Sequence, residues 1–99
     1  MLKNFDKAFE NRLRLQIMAV LTVNERYDFN SLKELLQVTD GNLASHLKAL
    51  EKVAYIGVHK TFIGRKTNTS YFATPEGRAA FSKHLQTLEQ LIQQQKTQI

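Results

Sequence analysis

The chain has no cysteine and no tryptophan, and only one proline and four glycines among its 99 residues. Without cysteine neither a disulfide framework nor a thiolate metal site can form, so nothing asks for an oxidising compartment and the expected setting is the reducing cytoplasm. So little proline and glycine excludes a collagen-like or linker-like polymer, and with 42% hydrophobic and 9% aromatic residues the chain is expected to fold. Long apolar runs are missing too. The N-terminus, MLKNFDKAFENRLRLQ, is broken up by charge, and no stretch approaches the roughly 20 apolar residues of a membrane span. Neither a signal peptide nor a membrane partner is expected. A chain this short buries only about 60–65% of its unfolded surface and cannot divide that between two cores. A single domain over residues 1–99 is expected, with a frayed glutamine-rich tail at 95–99.

Negative charge is the other scarcity, and it is local. The net charge is +5, which suits a polyanionic partner. Between Gly41 and Phe72, Lys48, Lys52, Lys60, Arg65 and Lys66 face a single acid, Glu51, so this stretch carries +4 of the total. No Asp or Glu lies between Lys52 and Pro75. Such a run is either a solvated basic face or a surface meant for phosphates.

Apolar periodicity supplies the elements. Phe9, Leu13, Ile17, Val20 and Leu21 predict an amphipathic helix from Phe5 to Val23, ended by the polar stretch at Asn24. Leu32, Leu35 and Leu36 predict a short second helix, capped by Asn30 or by Ser31, which with Glu34 matches the S-x-x-E capping box. The run Val38, Thr39, Asp40, Gly41 breaks the pattern, and Thr39 is placed to cap the next helix. In that third helix Leu43, Leu47, Leu50 and Ala54 form one buried stripe, while Asn42, Ser45, His46 and Ala49 form a smaller, more polar one. From Tyr55 the period becomes two, predicting a two-stranded hairpin across the turn IGRKTN. Thr74, Pro75 and Glu76 then open a last helix running to about Gln94. The expected fold is mainly α with a small β-hairpin, in the order α-α-α-β-β-α.

A short helix, a tight break and a longer helix with a small polar outer stripe, here from Ser31 to Ala54, suit insertion into the DNA major groove. Asn42, Ser45 and His46 can exchange hydrogen bonds with base edges; Lys48 and Lys52 on the flanks, with Thr39, suit the backbone. The hairpin adds Lys60 and a tip made of Gly64, Arg65, Lys66, Thr67 and Asn68, fit for backbone or minor-groove contact. The competing readings are an ordinary polar helix face and a tip that only keeps the chain in solution.

The stretch from Arg12 to Phe81, with the segments NRLRLQIMAVL, FNSLKELLQVTDGNLASHLKALEKVAYI, FIGRKTNTSYFAT and TPEGRAAF, resembles the winged-helix DNA-binding domains of the MarR and ArsR type. The resemblance implies a stand-alone, sequence-specific transcriptional regulator, usually a homodimer, with the third helix in the major groove and the wing on flanking DNA. Metal sensing, known among ArsR-type proteins, is not expected: cysteine is absent, and His46, His59 and His84 fall on three elements without ligand spacing. The chain also leaves little room for the effector pocket that longer MarR proteins build, so neither cofactor nor effector is expected. His59 and His84 read as surface residues, and Met18 as core.

Phe81, Leu85, Leu88 and Ile92, widened by Leu91, recur at the spacing of a helix-packing seam. The seam either packs onto the chain's own first helix or joins two copies; because one small core does not obviously cover two long amphipathic terminal helices, a dimer through Phe5, Phe9, Phe81, Leu85, Leu88, Leu91 and Ile92 is expected, and with it a palindromic operator. The regulator is expected to be a repressor, although the residues do not separate repression from activation. An enzyme is disfavoured by the missing phosphate loop, metal cluster and nucleophile triad. RNA binding is disfavoured by the missing aromatic platform. The remaining alternative is a winged helix that binds only proteins, which would tolerate charge reversal at Lys48, Lys52, Arg65 and Lys66.

Overall fold

The computed structural model describes residues 5–97. A 3-10 turn, Lys7–Phe9, precedes α1 (Arg12–Leu21), β1 (Tyr27–Asp28), α2 (Phe29–Leu36), α3 (Asp40–Lys52), β2 (Ile56–Ile63), β3 (Lys66–Ala73) and α4 (Pro75–Thr97). The strands form one antiparallel sheet in the order β1-β3-β2. The expected hairpin is therefore present, with a third strand added to it: Tyr27 pairs with Tyr71 and Asp28 with Ser70.

Helix boundaries follow side-chain caps. The expected helix from Phe5 to Val23 is shorter than predicted, because Asn11 takes an extended conformation and its side chain accepts from the amides of Leu13 and Arg14 at 2.9 and 3.1 Å. Asp6 caps the preceding turn through the Ala8 amide. At the other end Thr22 and Asn24 bond back to the carbonyls of Met18 and Val20, closing α1 where the polar stretch begins. The expected Ser31 cap is also corrected. Asp28 is the N-cap of α2, accepting from the Ser31 amide and from the Ser31 hydroxyl, so Ser31 lies inside the helix. The Ser31 hydroxyl bond, above all, holds the Asp28 carboxyl below its ordinary value.

Each helix of the helix-turn-helix ends at a left-handed residue that is not glycine. Gln37 has φ of 53° and Ala54 of 63°. At Ala54 the amide bonds to the Glu51 carbonyl and the next amide, of Tyr55, to the Leu50 carbonyl, the paired pattern that closes a helix C-terminus. Ala54 is thus an exposed stop and does not continue the buried stripe of Leu43, Leu47 and Leu50 that its spacing predicts.

The core is gathered around α1 and α3. Ile17, Met18, Leu21, Leu32, Leu43 and Leu50 are completely shielded, and Leu13, Leu47, Ile56, Tyr71, Ala73 and Phe81 complete it. Leu35, expected on the inner side of the second helix, faces out, 54% exposed. Phe9 closes the core from the N-terminal side, edge-on to Phe81 at 5.4 Å and stacked on Tyr55 at the same separation. His84 is corrected from surface to interior: it is 5% exposed, packs on Phe5 and Phe9, and its Nδ1 accepts from the Asp6 amide at 3.3 Å. None of the described helices is long and apolar enough to cross a membrane.

The start of α4 is pinned. The Thr74 hydroxyl accepts from the Gly77 amide at 3.0 Å and donates to the Ala54 carbonyl at 2.6 Å, while the Thr74 amide donates to the Tyr55 carbonyl at 3.1 Å. Gly77 sits directly on that carbonyl, where a Cβ would come within 2.0 Å of the oxygen. Arg78 reaches from α4 to the Thr22 and Leu21 carbonyls at 2.9 and 3.4 Å, capping the end of α1. The last helix continues past the predicted Gln94 to Thr97, so residues 95–97 are helical; the remainder of the expected tail lies outside the described residues.

Two features of this corner can be tested by substitution. Ala54→Gly should raise the unfolding free energy by about 0.5–1 kcal/mol, since only glycine adopts this backbone freely, whereas Gly77→Ala should lower it by roughly 1–3 kcal/mol through overpacking; urea titration of both variants checks the opposite signs. Tyr55 donates its hydroxyl to Asp6, and that bond, with burial and the Asp6 charge, pushes its pKa up to about 12. A raised tyrosine stabilises the fold fully below its ordinary value of 10.0 and loses that contribution as pH climbs from there toward about 12. Tyr55→Phe should cost about 1 kcal/mol at neutral pH, with the gap to wild type closing above pH 10.0.

Candidate nucleic-acid interface

α3 begins where Thr39 turns extended and its hydroxyl accepts from the Asn42 amide at 3.2 Å, as the sequence suggests. Asp40 in the first turn and Lys52 in the last complement the helix dipole. Asp40 also meets Lys33 of α2 across the turn at 2.8 Å, an exposed pair that steadies the two helices only slightly. With Leu43, Leu47 and Leu50 turned inward, the opposite side of α3 is free of large apolar groups.

The sequence candidates do not all share that free side. Asn42, Ser45, Lys48 and Lys52 are exposed, and the spacing of three and four from Ser45 to Lys48 to Lys52 makes them one ridge. His46 and Ala49, expected on the same stripe as Ser45, are half-buried on its flank. The His46 Nδ1 is shut away from solvent without a hydrogen-bond partner among the described residues, which leaves its Nε2 edge as the one able to meet a ligand. Lys48 and Lys52, expected at the flanks, instead stand in line with Ser45. The outermost ridge is thus more cationic than the sequence stripe implies.

The wing is an eight-residue pairing from Ile56↔Ala73 at its base to Ile63↔Lys66 at its tip. Only Gly64 and Arg65 make the turn. Gly64 has φ of +65° and Arg65 has no positive φ, the signature of a II′ hairpin turn with glycine leading. The tip is therefore smaller than the predicted Gly64–Asn68 loop: Lys66, Thr67 and Asn68 belong to β3, with Thr67 opposite Phe62 and Asn68 opposite Thr61. Lys60, Arg65, Lys66 and Thr67 are exposed, and Asn68 is half-buried.

Sequence reasoning passes over the apolar groups beside these cations. Phe62 and Ile63 are 75% and 68% exposed at the tip. They read as ordinary alternating strand residues, and only the shortness of the turn reveals that nothing among the described residues covers them.

The expected dimer surface splits in two. Phe9 and Phe81, at 3% and 5% exposure, are consumed by the chain's own core because the N-terminal segment folds back onto α4. Phe5 is half-covered by His84. Further along α4, Leu85 and Ile92 are exposed and Leu88 and Leu91 half-buried, so an apolar face continues beyond the core. Among the described residues no three His, Cys, Asp or Glu side chains come together as a metal site.

A helix-turn-helix whose second helix leads into a cationic two-stranded wing defines a class of nucleic-acid-binding fold, and comparison with known proteins narrows it. Residues 13–92 match the family model described as a winged helix DNA-binding domain, and the chain belongs to that family. It is 39% identical over 85 residues to an uncharacterized protein of Methanocaldococcus jannaschii, covering 86% of this chain and 92% of that one. The solved transcriptional regulator homologue protein from Pyrococcus horikoshii OT3 superposes with a TM-score of 0.81 at 28% identity, over 87% of this chain and 85% of its own. The protein ytfH from Salmonella typhimurium shares the fold, with a TM-score of 0.70 at 21% identity over 91% and 86% of the two chains.

The side chains of Asn42, Ser45, Lys48 and Arg65 are exposed and make no bond among the described residues, which yields a control. Asn42→Ala, Ser45→Ala, Lys48→Ala and Arg65→Ala should each leave thermal stability within about 0.5 kcal/mol of wild type, whereas Thr39→Ala, which removes a cap, should cost about 1 kcal/mol.

Proposed function

We propose that this chain is a homodimeric transcriptional repressor that binds a palindromic operator in duplex DNA, with α3 in the major groove and the wing on the flanking backbone. One observation carries the reading. α3 turns its bulky leucines inward and leaves Asn42, Ser45, Lys48 and Lys52 uncovered, next to a hairpin whose Lys60, Arg65 and Lys66 have no acid near them in the sequence. In this reading Asn42 and Ser45 contact base edges, Lys48 reaches either a base or a phosphate, His46 offers its Nε2 from the flank, and Thr39 and Lys52 hold the backbone. The Pyrococcus protein, a transcriptional regulator homologue, supports regulation as the purpose.

Dimerisation is supported by α4. Its 23 residues rise roughly 35 Å at 1.5 Å each, and the uncovered Leu85 and Ile92 continue the seam of Leu88 and Leu91 past the core. A two-fold partner would bury that seam against its own copy and set the two recognition helices roughly 34 Å apart, one turn of DNA. A chain whose faces are taken up by DNA and a second copy acts most simply by occupying the operator, hence repression.

The test is fluorescence titration of the DNA upstream of the protein's own gene at two salt concentrations. Arg65→Ala should weaken binding to every duplex and reduce the salt slope by about 1, while Asn42→Ala should erode discrimination between operator and unrelated DNA. Leu85→Asp with Ile92→Asp should sediment as a monomer and bind the operator far more weakly. Charge reversal at Lys48, Lys52, Arg65 and Lys66 without effect on DNA would favour a protein-binding role instead.

A further inference from the structure

The wing tip combines two properties that ordinary phosphate contact does not need together. Phe62 and Ile63 are 75% and 68% exposed, whereas the apolar residues nearer the base of the same strand, Ile56 and Val58, are buried and half-buried. Around them stand Lys60, Arg65 and Lys66, and no acid lies between Lys52 and Pro75. Successive strand residues alternate faces, so Phe62, paired with Thr67, and Ile63, paired with Lys66, flank the two-residue turn from opposite sides. An apolar group on each face, with Arg65 at the apex, fits a partner that carries negative charge along two walls and apolar surface between them.

Duplex DNA has that profile in its minor groove, where sugar carbons and base edges lie between phosphate rims. Resting on the DNA-binding reading above, the geometry points to Phe62 and Ile63 as specificity-determining residues that wedge the wing tip into the minor groove beside the operator. Fit decides what they select. The minor groove is about 6 Å wide, whereas a strand pair with a side chain on each face is about 10 Å thick, the spacing at which sheets stack. Arginine alone is drawn to narrow, stiff A-tracts; a tip with phenylalanine on one face and isoleucine on the other needs the groove to open. Pyrimidine–purine steps open and unstack most readily. The wing thus reads deformability at a flanking position, a contribution that is apolar and nearly independent of salt.

Selection from a randomised duplex pool tests this with wild type and the Phe62→Ser, Ile63→Ser double variant. Both side chains are exposed, so the variant keeps the wild-type melting temperature. Wild type is expected to enrich TA or CA steps at a fixed distance from the core motif and to bind such duplexes about tenfold more tightly than duplexes with an A-tract there. The variant is expected to recover the same core motif and salt slope and lose the flanking preference. Identical flanks for the two proteins, or A-tracts chosen by wild type, would overturn the inference while leaving the DNA-binding reading intact. Recovery of no motif by either protein would sink that reading and this one together. Binding to anionic lipid vesicles that disappears in the variant, without flanking preference on DNA, would assign the tip to a membrane surface instead.

Discussion

The two residues Ala54 and Tyr55 fix the working parts of the chain to one another. Left-handed Ala54 stops α3, and the Ala54 and Tyr55 carbonyls, from two successive peptide groups, accept from the hydroxyl and amide of Thr74, where the wing ends and α4 begins. Gly77 lies on the same Tyr55 carbonyl, so the last helix approaches as closely as a backbone can. Three directions are set here within a few residues: that of α3, that of the hairpin and that of α4. Arg78, one residue further, ties the same corner to the end of α1. A shift of this corner would move the wing relative to α3, which is the distance a duplex would have to match.

Away from that corner the molecule separates stability from contact. Its shielded side chains lie on α1, α2, α3, the base of the sheet, the first half of α4 and Phe9, while Lys48, Lys52, Lys60, Arg65 and Lys66 stand exposed on the outer ridge of α3 and along the wing. Residues that face outward there hold nothing inside, so they are free to vary in chemistry without costing the fold. The N-terminal strap is the reverse case. Asp6, Phe9, Tyr55 and His84 bind one another through hydrogen bonds and ring contacts, and their polarity serves packing rather than a ligand.

Much of the architecture is legible in the residues. Strong period-3.6 leucine stripes locate α3 and its inward side, and the change to period two locates the hairpin, because these patterns record which face meets the core. The features that periodicity misses are decided by single side chains or by distant parts of the chain. Asp28 outcompetes Ser31 as a cap because its carboxylate takes both the amide and the hydroxyl of Ser31. β1 is two residues long and exists only because β3 offers an edge to Tyr27 and Asp28. The stops at Gln37 and Ala54 lack the glycine that usually announces them. Phe9 reads as a dimer contact and His84 as a surface residue because no local pattern says that two rings so far apart in the chain will pack together. The residue types of the candidate interface are legible on α3 and the wing, but the ranking within the helix, with Lys48 outward and His46 on the flank, needs coordinates.

The hairpin's two-residue turn bears on how the chain assembles. Ile63 and Lys66 meet after closing the smallest possible loop, so the strands can zip from the turn with little loss of chain entropy at each step. Zipping runs in the direction opposite to stability, however, because only the far rungs, Val58↔Tyr71 and Ile56↔Ala73, reach apolar cover. The first contacts to form are thus the least held once folding is complete. The end of the hairpin can open and close while its base stays locked, giving the protein a compliant tip on a rigid mount.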